Sequence, residues 1–346
     1  MIHGGDIYRN QVRIDFSVNS NPLGIPDSVK NALHEAVGHC EQYPDIRAEK
    51  LAESVSKMTG VGTERILFGN GASELFLAII HAVRPKRIVI PVPSFFGYEK
   101  AALASDAEIG YYEMKESAGF TLDEGLLTEL TGDTDLLFLA NPNNPVGNLL
   151  DGALLEKIAA VCREKRITVV LDECFLEFTG GEERLSFKNR LQEYPNVLVV
   201  RAFTKIFAIP GVRLGYLFCG DRELTERIRN QLPEWNLSVF AQAAGAAACR
   251  EKEYLEKTVR FVKTERESLS GELKRLGFRV YPSAADYLLF YTPVPLYDLL
   301  LEKKILIRDC GSYRGLKKGY YRIAVKRHGE NETLIREIER LVKQDG

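Results

Sequence analysis

No apolar run in this 346-residue sequence approaches the length needed to cross a bilayer, so a membrane-spanning protein is not expected. The N-terminus, MIHGGDIYRN, lacks the apolar core of a secretory signal. Charge of either sign is never in excess: 46 basic and 48 acidic residues leave a net −2, with no long single-sign run. The short basic stretches RPKR (84–87) and KRH (326–328) read as solvated surface. Nucleic acid and anionic membranes are therefore not expected as main partners. Cys40, Cys162, Cys174, Cys219, Cys249 and Cys310 form no C-x-x-C pair, and several lie in apolar runs. Buried free thiols in a reducing compartment are the expectation. The five histidines show no H-x-x-x-H and no mixed Cys/His ligand spacing, so no metal site is expected. Together these absences point to a cytoplasmic protein.

What is present is alternation. RILF, RIVIPV, DLLFLA, ITVVLDE, NVLVV and LGYLFC are short apolar runs, separated by glycine turns and helix-period segments. In DGALLEKIAAVCREK, Leu154, Leu155, Ile158, Val161 and Cys162 share one helical face. Near-continuous apolar strands between helices imply a mostly parallel sheet covered on both faces, an α/β fold. From about Pro233 the pattern changes. A long helical stretch, AQAAGAAACREKEYLEKTVRFVKTERESLSGELKRLG, leads to short strands FRVYP, YLLFY and YYRIAV, which suggests a smaller α+β domain. The first thirty or so residues are irregular and are expected to wrap onto the body.

Unusual polar residues gather where the strands end: GNGASE (69–74), PSFF (93–96), NPNNPVG (141–147), DE (172–173) and FTK (203–205). In a parallel sheet those ends converge on one edge, where ligands bind. GNGASE is either a plain glycine turn or a helix N-terminus with free N–H groups and the Ser73 hydroxyl for a phosphate. It matches neither the nucleotide P-loop nor the dinucleotide G-x-G-x-x-G pattern. Asp172 is either a cap or a carboxylate placed to hold a cationic ring nitrogen. Lys205 is either a surface lysine or a partly desolvated amine whose lowered proton affinity makes it nucleophile and base. Arg213 follows Lys205 by eight residues.

In chain order YPD, GNGASE, PSFFGY, NPNNPVG, DECF, TKIFAIPGVRLGY and YYRIAV resemble the fold-type I pyridoxal-phosphate (PLP) enzymes, the aspartate-aminotransferase superfamily. The resemblance runs along nearly the whole chain. It implies an N-terminal arm (1–30) packed on the small domain and active site, a large PLP-binding domain (31–235) with a mostly parallel seven-stranded sheet, and a small C-terminal domain (236–346). It also implies roles. Lys205 would hold the cofactor covalently and move protons at the substrate Cα, and Asp172 would pair with the ring nitrogen. Asn144 would bond the ring oxygen, and Phe95 would stack on the ring. Ala72, Ser73, Thr204 and Arg213 would bind the cofactor phosphate. Tyr43 would reach the cofactor phosphate of a neighbouring subunit, which implies a homodimer. Arg322 would grip the substrate carboxylate. Two positions depart from the pattern: Ala202 stands where a hydroxyl is usual, and Phe175 where a tyrosine is usual.

Within the superfamily the sequence is similar to the histidinol-phosphate aminotransferase and threonine-phosphate decarboxylase families. HGGDIY, DFSVNSNPLGIP, PSAADYLLF and ILIRDCGSYRGLKKGYYRIAVK, with phenylalanine in DECF, look more like the decarboxylases. In both families an arginine at the Arg308 position takes the substrate phosphate, and His3 with the Gly4 and Gly5 amides would complete that site. The implied reaction converts L-threonine O-3-phosphate to (R)-1-amino-2-propanol O-2-phosphate for the cobalamin nucleotide loop. L-serine O-phosphate, giving ethanolamine phosphate, is a close alternative substrate. Aminotransfer on histidinol phosphate stays open, as does a non-catalytic PLP-binding module, although a dead enzyme would be expected to lose Lys205 or Asp172.

Overall fold

The computed structural model describes residues 4–344. Strand β1 (Ile14–Asp15) opens the chain. The next seven strands share one sheet: β2 (Ile66–Gly69), β3 (Arg87–Val92), β4 (Glu108–Glu113), β5 (Leu136–Ala140), β6 (Thr168–Asp172), β7 (Val197–Ala202) and β8 (Gly215–Cys219). They are ordered β2-β8-β7-β6-β5-β3-β4. β8 runs antiparallel to both neighbours, and the other pairings are parallel. The mostly parallel seven-stranded sheet expected from the resemblance is there.

The apolar runs become strands because each can bury both faces. Leu137, Leu139, Val169 and Leu171 join one core, while Leu136, Phe138 and Val170 join a second on the opposite side. That is the two-residue period of a strand covered twice. The helix Gly152–Glu164 lies on the first core through Leu155, Ile158, Ala159 and Cys162, each large side chain contributing about 1.5–3 kcal/mol. It starts where Asp151 accepts a bond from the Leu154 amide. Strand β4 was not legible in the sequence. EIGYYE is an edge strand with no apolar alternation, half-exposed along its middle.

Beyond Pro233 the long helical stretch divides into Val239–Ala248 and Lys252–Arg275. Then come β9 (Arg279–Val280), β10 (Tyr287–Tyr291), β11 (Ile305–Leu306), β12 (Arg308–Asp309) and β13 (Tyr320–Ala324). Four of them form an antiparallel sheet ordered β12-β13-β10-β9. Leu269 and Leu273 of the long helix, Phe290, Ile323, and Leu334 and Ile338 of the C-terminal helix share a third core.

The N-terminal segment stitches the two parts together. β1 pairs in parallel with β11, and Phe16 is buried in the third core. The Phe16 carbonyl accepts from Ala324 N–H at 2.8 Å, and Asn21 N–H donates to the Lys205 carbonyl at 3.0 Å. Among the described residues no helix is long and apolar enough to cross a membrane.

Candidate active site

A cleft of about 260 Å³ opens at the carboxyl ends of the parallel strands, between the two sheets and the N-terminal segment. At one end β2 turns into the helix Ala72–Val83. Gly71 makes that turn with φ +77°, and a Cβ there would stand 2.4 Å from Arg213 Nη2. A side chain is thus excluded by both backbone and space. Gly215 serves the same approach from β8: a Cβ on it would lie 2.6 Å from the Ala72 amide nitrogen. Ala72, Ser73, Thr204 and Arg213 all line this end. It therefore combines a helix N-terminus, two hydroxyls and a guanidinium, a set built for a phosphate. Arg213 holds the left-handed φ of 62°, unusual for a side-chain-bearing residue, and its Nη1 is steered by the Pro210 carbonyl at 3.2 Å. Glu74 of the same motif is structural, accepting from Asn70 N–H at 2.6 Å and Asn236 Nδ2 at 2.8 Å. Ala202 shares the wall with Thr204.

In the middle stand Asp172, Lys205, Phe95, Asn144 and Phe175. Asp172 is the last residue of β6 and is buried. Its Oδ1 accepts from Cys174 N–H at 2.9 Å and its Oδ2 from the Tyr98 hydroxyl at 2.6 Å. Burial pushes its proton affinity up, and these bonds pull it back. Tyr98 was missed as a functional residue, although PSFFGY contains it. Its ring stacks on Phe138 at 5.0 Å and meets Phe95 edge-on at 5.6 Å, so one residue holds both the carboxylate and the aromatic wall. Glu173, next in the chain, points away from the cleft, to Arg201 Nη2 at 2.8 Å and the Ser186 hydroxyl at 2.7 Å.

Lys205 lies not in β7 but on the helical turn Phe203–Ile206 that follows it. Burial lowers its proton affinity, Arg322 and Arg213 push the same way, and Asp286 opposes them. Phe175 packs edge-on against Tyr287 at 5.0 Å. The tyrosine hydroxyl usual at that position is absent, and Asn144 remains as the polar group on that side.

The far end carries the arginines. Arg322 Nη1 donates to Asn144 Oδ1, Nη2 donates to the Ser17 carbonyl at 3.0 Å, and Nε is buried without a hydrogen-bond partner. The first bond leaves the Asn144 amide nitrogen as the donor for a ligand oxygen. Arg308 is buried with its guanidinium between the Tyr313 ring at 5.3 Å and the Phe96 ring at 6.0 Å. Arg308 and Arg322 are direct cross-strand neighbours in the β12–β13 ladder. Asn19, with a buried and unpartnered Oδ1, joins this wall and was also missed. Gly4 lines the cleft, whereas the Gly5 amide is already used by Ser17 Oγ at 2.7 Å. His3 lies outside the described residues. Tyr43 stands apart from the cleft on the surface, 80% exposed, against Trp235 at 4.8 Å.

A sequence profile described as aminotransferase class I and II matches residues 12–341. The chain belongs to that family. The cleft fits the PLP of these aminotransferase-fold enzymes: the Gly71–Arg213 cradle suits its phosphate, Asp172 its ring nitrogen and Lys205 its aldehyde carbon. The chain is similar to the threonine-phosphate decarboxylase of Salmonella typhimurium, 37% identical over 326 residues, which are 93% of this chain and 89% of the relative. The L-threonine-O-3-phosphate decarboxylase structure from Porphyromonas gingivalis aligns with a TM-score of 0.84 and 27% identity, over 95% of this chain and 99% of that one. The histidinol-phosphate aminotransferase structure from Clostridium acetobutylicum aligns at 0.89 and 31%, over 96% and 99%.

Proposed function

We propose that this family member decarboxylates L-threonine O-3-phosphate to (R)-1-amino-2-propanol O-2-phosphate, the product that serves the cobalamin nucleotide loop. The observation that carries the reading is the Arg308–Arg322 cross-strand pair in the cleft wall. Both arginine side chains line one cleft and suit a ligand that carries two anionic groups. A phosphorylated amino acid supplies a carboxylate and a phosphate. The similarity to threonine-phosphate decarboxylases supports the same substrate.

Bound PLP supplies an electron sink for the bond broken at Cα. The residues of this chain do the rest. Ala72, Ser73, Thr204 and Arg213 anchor the cofactor phosphate, and Phe95 covers the ring. Asp172, steadied by Tyr98, holds the ring nitrogen as a cation. Arg322 grips the substrate carboxylate, and Arg308, with the Gly4 backbone beside it, grips the phosphate. Which bond breaks is decided by orientation. Lys205 returns a proton to Cα. Asn144 donates to the ring oxygen alone, because Phe175 cannot.

The exposed Tyr43, Trp235 and Ile46 support a homodimer in which Tyr43 reaches the partner's cofactor phosphate. The five buried thiols suit a cytoplasmic setting. The test is a set of parallel incubations with PLP. Threonine phosphate is expected to release stoichiometric carbon dioxide. Serine phosphate, one methyl smaller, is expected to react about 10- to 200-fold less well. Stoichiometric keto-acid exchange between histidinol phosphate and 2-oxoglutarate, without carbon dioxide from threonine phosphate, would overturn the proposal in favour of aminotransfer.

A further inference from the structure

The connection between β12 and β13, residues 310–319, is longer than two adjacent antiparallel strands need. It reaches across the cleft to the seven-stranded sheet. Gly315, at φ +81°, packs on the backbone of Val92 and Pro93, where a Cβ would stand 3.3 Å from the Pro93 nitrogen. Arg314 Nη2 donates to Glu99 Oε1 at 3.2 Å, and its guanidinium lies over the Tyr111 ring at 3.9 Å. The Tyr111 hydroxyl donates to the same Glu99 oxygen at 2.8 Å, so ring, carboxylate and guanidinium form one closed contact. Further along, Lys317 Nζ lies 3.7 Å from Glu116 Oε2. Arg314, Glu99 and Tyr111 all stand outside the lining of the cleft, but two of them adjoin residues that form it. Arg314 follows Tyr313, and Glu99 is on the helix Gly97–Ala102, which begins directly after Phe96. Phe96 and Tyr313 meet edge-on at 6.2 Å, and the Arg308 guanidinium faces both rings, at 6.0 and 5.3 Å.

We infer that Arg314 is a positioning residue for the substrate phosphate, which rests on the reading of Arg308 as the arginine that grips that phosphate. By clamping Glu99 and Tyr111, Arg314 holds Tyr313 opposite Phe96 and so fixes the Arg308 guanidinium between the two rings. A long side chain that must be ordered on binding costs affinity, and one already stacked does not. The planar fork of an arginine also binds a phosphate best in one orientation. The two rings come from opposite sides of the cleft, Phe96 beside the seven-stranded sheet and Tyr313 beside the four-stranded one. Their spacing is therefore set by whatever joins the two sides at this point, and Arg314 joins them one residue from Tyr313. Arg322 is fixed independently, by Asn144 and the Ser17 carbonyl. Losing the clamp should weaken the grip on the phosphate and spare the grip on the carboxylate.

The experiment measures two dissociation constants on the PLP-loaded protein, by rapid mixing ahead of turnover and from the cofactor absorbance. One ligand is L-threonine O-3-phosphate. The other is L-threonine, which keeps the amine and carboxylate and has no phosphate. Arg314→Ala is expected to weaken threonine phosphate about three- to tenfold, the combined size of an exposed ion pair and a cation–π contact, and to leave L-threonine within about 1.5-fold. Arg314→Lys, which keeps the charge without the planar stack, should recover part of the loss. Glu99→Gln should act in the same direction, and the double variant should be no worse than Arg314→Ala alone. Equal losses for both ligands would mark a merely structural role and overturn the inference, as would losses that simply add in the double variant. Arg308→Met tells this apart from the reading beneath it. If Arg308→Met loses the preference for the phosphate ester while Arg314→Ala keeps it in full, the positioning role fails and the reading of Arg308 stands. If neither variant changes the preference, Arg308 does not hold the phosphate and both fail.

Discussion

Replacing Tyr98 by phenylalanine removes one oxygen and little else. The ring is locked by Phe138 at 5.0 Å, Phe76 at 5.2 Å and Phe95 at 5.6 Å, none of which needs the hydroxyl. What disappears is the 2.6 Å bond to Asp172 Oδ2, leaving that carboxylate with the support of Cys174. A hydrogen bond to a buried charged group contributes about 1.5–3 kcal/mol. Burial already raises the Asp172 proton affinity, and losing Tyr98 raises it further. A neutral Asp172 cannot pair with a cationic ring nitrogen. The expected result is a PLP dissociation constant and a turnover number each about ten- to a hundredfold worse. The defect should be deepest at low pH and shrink as pH rises and Asp172 ionises. Cofactor binding by absorbance, and carbon dioxide release across pH 6 to 9, would measure it. Tyr98→Phe within twofold of wild type at every pH would refute the reasoning.

Three further outcomes follow from other parts of the molecule. Gly71→Ala forces a Cβ to 2.4 Å from Arg213 Nη2 and strains a φ of +77°, so PLP affinity should drop at least about tenfold while the sheet remains intact by circular dichroism. Arg308→Met should raise KM for threonine phosphate about ten- to a hundredfold without weakening PLP binding, since it removes a partner of the substrate and not of the cofactor. Glu177, buried among Glu173, Glu182 and Arg201, has its carboxyl pushed up to about 7 by burial, with Arg201 opposing. Its folded value lies above its unfolded one. Its stabilising contribution is therefore complete below about pH 4.5 and is lost as pH rises through 7. Glu177→Gln should accordingly raise stability at pH 8 by up to about 3 kcal/mol and change it little at pH 4.5, as read by denaturant unfolding.

The strands of the large sheet were readable because burial on both faces demands apolar residues at every position, as in LLFLA and VLVVRA. The edge strand Glu108–Glu113 was not, since one side faces solvent and no pattern is enforced. The residues proposed to hold the cofactor stood out for a related reason. Asp172, Lys205 and Asn144 are polar groups at the ends of apolar strands, and only a site explains five such places on one sheet edge. Tyr98 hid in apolar surroundings, where a tyrosine reads as core.

By itself the sequence determined the layered α/β sheet, the glycine turn before the helix Ala72–Val83 and the polar residues that gather at the sheet edge, because strand period, glycine spacing and polar punctuation are local properties of a chain. The tertiary structure alone decided the direction each group faces. Asp172 and Glu173 are adjacent, yet Asp172, the last residue of β6, lines the cleft while Glu173, just past the strand, pairs with Arg201. Arg308 and Arg322 are distant in sequence and become cross-strand partners only through the β12–β13 register.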